Sequence, residues 1–189
     1  RPSDTATRQV CAAIGQSRLM HQYQAQFARH KLMVAQILLT HQDMDSRTRY
    51  ANAKTTLEQL LGRGDVVPII NENDTVAVEE LRFGDNDRLS AEVAVLAAAD
   101  QLVILTSVDG LRDSDGRRVP VVRDISSSMN LVTGEAGSHS VGGMGTKLLA
   151  VGLALDAGIP AVIASGLDPG TIDKAVRGRS VGTRFPPPG

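Results

Sequence analysis

The feature that most constrains this chain is an alternation of short, nearly continuous apolar runs with longer stretches of helical periodicity. The runs lie at 32–40 (LMVAQILLT), 66–71 (VVPIIN), 102–106 (LVILT) and 161–164. Each is of strand length, and each is too uniformly apolar for a strand with one wet face. Between them, residues 46–61 place Tyr50, Ala53, Leu57, Leu60 and Leu61 on one side of a helix that Gly62 and Gly64 stop, and 89–99 read as another helix. A helix at 146–157 is closed by Gly158, and one at 171–176 by Gly178. Ahead of the first run, Val10, Ile14, Leu19, Tyr23 and Phe27 recur three to five residues apart over 8 to about 30, with Asp4, Thr5 or Thr7 placed to cap that helix. Strands covered on both faces, alternating with helices, predict an α/β chain: an αβα sandwich on a largely parallel open sheet.

The 189 residues and their 42% hydrophobic content suffice for one core, and the expected organisation is one catalytic domain over 1–185 with a Pro-rich tail or linker at 186–189. Residues 112–140 are rich in Ser, Gly and Asp with weak periodicity, and read as loop. Twenty Lys and Arg against 21 Asp and Glu leave a net charge of -1, so the chain has no global positive field for nucleic acid or an anionic membrane. Any anionic ligand needs a local site. The lone Cys11 and the lack of zinc-type Cys/His spacing suggest a reducing, cytoplasmic setting and no structural metal. No apolar run reaches the length of a membrane span.

In open parallel sheets ligands gather at the carboxyl ends of strands. Polar segments follow three of the apolar runs: Asn71-Glu72-Asn73-Asp74, Thr106-Ser107-Val108-Asp109, and Ser165-Gly166. Two amides and two carboxylates in four residues exceed what a turn needs. Asp85 and Asp87 stand immediately before a helix, where Asp87 is either an N-cap or a catalytic group. Thr106, Ser107 and Asp109 either meet a nucleotide or make an Asx turn. Val141-Gly142-Gly143-Met144-Gly145-Thr146-Lys147 would deliver backbone N–H groups and a lysine to a helix N-terminus, which suits phosphate; the plain alternative is a surface turn. The order is neither a Walker A loop nor G-x-G-x-x-G. With no nucleophile elbow, no His-Glu-x-x-His pair and no histidine beside a nucleophile, the polar loops describe phosphoryl transfer better than hydrolysis. His21, His30 and His41 read as structural or surface residues.

VPIINENDTVA, RFGDNDRLSA, ILTSVDGL and GGMGTKLLA, in this order, resemble the signature loops of the amino acid kinase family, and AAIGQSRLMHQYQAQF and RGRSVGTRF are similar to it as well. Within the family, the NEND and FGDND segments look like those of members that phosphorylate the side-chain carboxylate of L-glutamate with ATP and Mg²⁺, the first step of proline biosynthesis. The resemblance implies that Asp74, Asn86 and the nearby Asn71 bind glutamate. It implies that Thr106, Ser107 and the segment from Val141 through Gly142, Gly143, Met144, Gly145 and Thr146 to Lys147 bind the nucleotide. Lys147 would contact the transferring phosphoryl group, and Asp87 would organise the lysines around it. It also implies a homo-oligomer, dimer or tetramer, and inhibition by proline. Val141 stands where the family usually has threonine. The family's first strand and its glycine loop, with a further lysine and a serine that helps hold glutamate, have no counterpart in the sequence, so the fold is expected to be incomplete at the N-terminus. Carbamate, acetylglutamate, aspartate or uridylate kinases, and a non-catalytic domain sensing proline or glutamate, are the competing readings.

Overall fold

The computed structural model describes residues 4–77, 85–126, 128 and 141–187. Phe83, Gly84 and the end of the Pro-rich tail lie outside the described residues, as does most of the latter half of the expected 112–140 loop. The chain forms two compact units, residues 1–82 and 83–189.

In the first unit, helix α1 (Thr5–Ala28) is capped by Asp4, whose carboxylate accepts the Thr7 N–H at 2.8 Å. The helix ends in a Schellman turn: Leu32 N–H reaches Phe27 O at 3.1 Å, and Lys31 takes a left-handed φ of 59°. Strand β1 (Met33–Leu39) follows, then a one-turn helix α2 (His41–Asp45), helix α3 (Arg47–Gly62) and strand β2 (Val66–Glu72). β1 and β2 pair in parallel, Met33 against Val66 through Leu39 against Glu72, as strands joined by a helical crossover do. α1 packs on β1 and α3 on β2.

The stripe that the periodicity marks on α1 is not the one that packs. Val10, Ile14, Leu19 and Tyr23 are exposed, while Gln9, Ala12, Gln16 and Met20 are half-buried. Of the predicted stripe only Phe27 is half-buried; the small Ala12 permits close approach, and the Gln16 side chain finds hydrogen-bond partners on the sheet.

The second unit is a layered sandwich. Helix α4 (Asp85–Leu96) leads into strand β3 (Leu102–Thr106); helix α5 (Val141–Asp156) into β4 (Ala161–Ser165); a short α6 (Thr171–Val176) into β5 (Thr183–Phe185). β3 and β4 are parallel, in register from Leu102 against Ala161 to Thr106 against Ser165, and β5 adds antiparallel to β4. Alternate residues face opposite layers. Leu102, Ile104, Ala161, Ile163 and Phe185 join Ala91, Ala94, Leu148, Val151 and Ala154 of α4 and α5 in one core; Val103, Val162 and Ala164 pack with Ala175 of α6 on the other face. That explains why these strands read as unbroken apolar runs.

β5 has no signal in the sequence, because three residues carry no periodicity. Tertiary pairing places it: Arg184 N–H donates to Pro120 O at 3.0 Å and Val122 N–H to Arg184 O at 2.9 Å. The fully buried Thr183 ties this corner together, its hydroxyl donating to Val119 O at 2.7 Å and accepting the Leu111 N–H at 2.8 Å. Gly182 before it has φ of 62°, and a Cβ there would collide with Ile163 O and sit 2.7 Å from Ala164 Cβ. Only glycine fits.

Candidate active site

α4 and α5 pack on each other along two short stripes, and a polar cluster sits at the end of both. Asp87 lies one and two turns before Ala91 and Ala94 on the buried face of α4; Lys147 lies in the same relation to Val151 and Ala154 on α5. Small alanines bring the helices close enough for the polar ends to meet. Asp87 Oδ2 accepts from Lys147 Nζ at 3.0 Å and from Thr146 Oγ1 at 2.8 Å. Lys147 Nζ also donates to Gly143 O at 3.3 Å. The lysine and aspartate side chains are only 16% and 20% exposed, so their attraction is less screened than that of a surface pair. The Asp87 carboxylate also sits in the first turn of α4, where the helix dipole favours a negative charge.

Both helices depart from the bounds expected of them. The helix expected at 89–99 begins at Asp85, so Asp87 is inside its first turn rather than an N-cap, and its side chain reaches across to α5. It also stops earlier: Ala99 N–H bonds to Ala94 O at 2.9 Å with Ala98 at a left-handed φ of 47°, a Schellman turn without the usual glycine. The helix expected from Thr146 begins at Val141, so Gly142, Gly143, Met144 and Gly145 form its first turns rather than a loop. Each glycine costs about 1 kcal/mol of helix propensity, which is why the sequence points to a later start. Burial of Leu148, Ala150 and Val151 and the tether from Asp87 outweigh it. The first turn of α5 still lacks intrahelical acceptors for its N–H groups.

The remaining positions of this unit lie at strand and helix ends. Thr106 closes β3 opposite Ser165, with its carbonyl accepting the Gly166 N–H at 2.8 Å, and Ser107 beyond it is exposed. Asn86 is the second residue of α4 and exposed. Asp109 pairs with Arg112 at 3.0 Å instead of turning back on its own backbone. A cavity of about 320 Å³ lies at the opposite end of β4, beside Pro160, Arg184 and Pro187, away from these residues. Among the described residues no group of three or more His, Cys, Asp or Glu gathers to hold a metal ion.

In the first unit, Asn71 is the last but one residue of β2 and Asp74 lies in the turn that follows. Asn73 N–H continues the ladder to Leu39 O at 2.8 Å, and its carbonyl accepts from Val76 and Ala77 N–H, turning the chain with Asp74 exposed on the turn. Asn71 Nδ2 donates to Gln16 Oε1 at 2.9 Å. Gln16 is the polar partner that sequence reading missed; the available signal was a glutamine on the 9, 12, 16, 20 stripe. Of the histidines, His21 and His30 are exposed and His41 is buried at the start of α2.

Residues 2–165 match the amino acid kinase family. The chain belongs to that family. Among curated relatives, the glutamate 5-kinase of Myxococcus xanthus is 48% identical over 196 residues, covering 100% of this chain and 52% of the relative. That of Carboxydothermus hydrogenoformans is 47% identical, covering 99% and 52%. This chain thus spans about half the length of the curated relatives it matches. Among solved structures, a carbamate kinase from Giardia aligns with a TM-score of 0.64 at 18% identity, covering 94% of this chain and 72% of that one. An N-acetylglutamate synthase from Neisseria gonorrhoeae aligns at 0.53 and 21% identity, covering 70% and 30%. At such identities the likeness is one of fold, and it agrees with the α/β architecture of this amino acid kinase chain. No helix among the described residues is long and apolar enough to cross a membrane.

Proposed function

We propose that this chain is the larger part of the catalytic domain of a glutamate 5-kinase, which transfers the terminal phosphoryl group of ATP to the side-chain carboxylate of L-glutamate to form γ-glutamyl phosphate. The observation that carries the reading is the Asp87–Thr146–Lys147 cluster at the paired N-terminal ends of α4 and α5, in a chain 48% identical to a protein of that name. A carboxylate is already ionised at pH 7 and needs no strong base, so catalysis is alignment and charge neutralisation. Lys147 supplies the cation at the transferring group, and Asp87 holds the ammonium in place from a helix end. The segment from Val141 to Thr146 serves the nucleotide phosphates through the free first-turn N–H groups of α5, Val141 to Met144, with Thr106 and Ser107 on the other parts of the nucleotide. Asp74 pairs with the substrate ammonium, and Asn71 and Asn86 hydrogen-bond glutamate. Mg²⁺ would accompany ATP and help neutralise its phosphates. Inhibition by proline and assembly into a dimer or tetramer follow from the same resemblance.

The test is ADP release from the complete natural protein with a panel of acceptors. L-glutamate should support turnover, and carbamate, N-acetylglutamate, aspartate and UMP should not. Turnover with one of those instead overturns the acceptor assignment, and calorimetric binding of proline or glutamate without any ADP release favours a sensing domain.

A further inference from the structure

Three amides in the first unit form a directed chain across α1, β2 and β1. Asn71 Nδ2 donates to Gln16 Oε1 at 2.9 Å, and Gln16 Nε2 donates to Gln36 Oε1 at 3.2 Å. Turning one amide over would set like atoms against each other unless its neighbours turned too, so the orientation of each depends on all three. Asn71 Oδ1 is left without a partner among the described residues; since no buried side-chain oxygen or nitrogen among them lacks one, this oxygen borders solvent. It is an acceptor at the carboxyl end of a parallel strand, where ligands of such sheets bind.

We propose that Gln16 is a positioning residue for the acceptor substrate: by engaging the Asn71 N–H, it presents Asn71 Oδ1 to the α-ammonium group of the amino acid. The inference rests on the glutamate kinase reading above and adds a polarity to it. A carbonyl oxygen accepts from an ammonium and has nothing to offer a carboxylate, so Asn71 reads the amine and discriminates glutamate from a dicarboxylate without one. A freely turning Asn71 would present its NH₂ and its oxygen about equally and lose that discrimination.

The experiment uses the complete natural protein with Gln16→Leu and Gln16→Glu, the latter keeping an acceptor for Asn71 Nδ2. For Gln16→Leu, the glutamate KM should rise about three- to tenfold, the effect of one hydrogen bond, with kcat and ATP KM unchanged. Preference for glutamate over glutarate, measured calorimetrically, should fall by a similar factor. Gln16→Glu, with Gln36 turned to donate its NH₂ to the new carboxylate, should restore both to within about twofold. An unchanged glutamate KM in Gln16→Leu overturns the proposal, as does a parallel rise in glutamate and ATP KM with a lowered unfolding temperature, which marks a mere helix fastener. If the wild-type protein shows no glutamate-dependent turnover, the function assignment fails separately, and NMR still decides the positioning. The Asn71 side-chain NH₂ protons, assigned with Asn71→Asp, should exchange with solvent more slowly in wild type and Gln16→Glu than in Gln16→Leu; equal exchange in all three overturns it.

Discussion

A lysine ammonium that is 16% exposed and shared between a carboxylate and a backbone carbonyl is held before any phosphate arrives. In the proposed phosphoryl transfer its charge would therefore need little reorganisation as negative charge moves. Lys147→Met should lower kcat by about 10²–10³, with glutamate KM changed far less. Steady-state kinetics on the complete protein decide it, and an unchanged kcat sinks the assignment. Thr183 shows the structural counterpart of such a polar contact. Thr183→Val keeps the shape but strands the Leu111 N–H and the Val119 carbonyl, costing about 2–4 kcal/mol of stability. Denaturant midpoints at unchanged m-value would measure it, and a loss below about 1 kcal/mol would mean that water replaces the hydroxyl. In the sequence, Thr146 and Lys147 read as a phosphate-binding segment or a surface turn, and Asp87 as an N-cap or a catalytic group. Their meeting was not legible there, since some sixty positions separate Asp87 from its partners.

Helix ends are where sequence and structure part company at the scale of the element. Glycine marked the ends of α5 and α6 correctly, because Gly158 and Gly178 take left-handed φ of 78° and 68°. α1 and α4 are instead closed by turns in which Lys31 and Ala98, residues that carry no stop signal, take the left-handed conformation. The short α2 depends on a side chain reaching back to its start: Asp43 Oδ2 accepts from the Thr40 N–H at 2.7 Å and from the Thr40 hydroxyl at 2.8 Å, and Arg49 pairs with the other oxygen. Partial burial pushes the Asp43 carboxyl up, but the bonds from Thr40 and Arg49 together hold it below its ordinary 3.8. A lowered folded-state value means that the ionised group adds stability above about pH 4, lost as pH falls through the folded value. Asp43→Ala should thus cost about 1 kcal/mol at pH 7, and the gap to wild type should narrow below about pH 4. Unfolding midpoints at pH 7 and pH 3 test this; a gap independent of pH would rule out the ionised cap.

For the whole molecule, the proposed site needs charge neutralised from more than one direction, and this chain offers one glycine-rich segment with one matching lysine. This chain spans about half the length of the curated relatives it matches. A protein of these 189 residues alone should therefore release no ADP with glutamate under conditions where the complete natural protein does; comparable turnover from both would refute the two-sided clamp. By itself the sequence determined the α/β class and the parallel strands, because those depend on short-range periodicity and on apolar runs that need cover on both faces. Tertiary structure alone decided the rotation of α1, the early start of α5, the existence of β5 and the pairing of Asp87 with Thr146 and Lys147. Each of these trades a poor local preference for burial or a hydrogen bond between distant residues, and local pattern holds no record of that exchange.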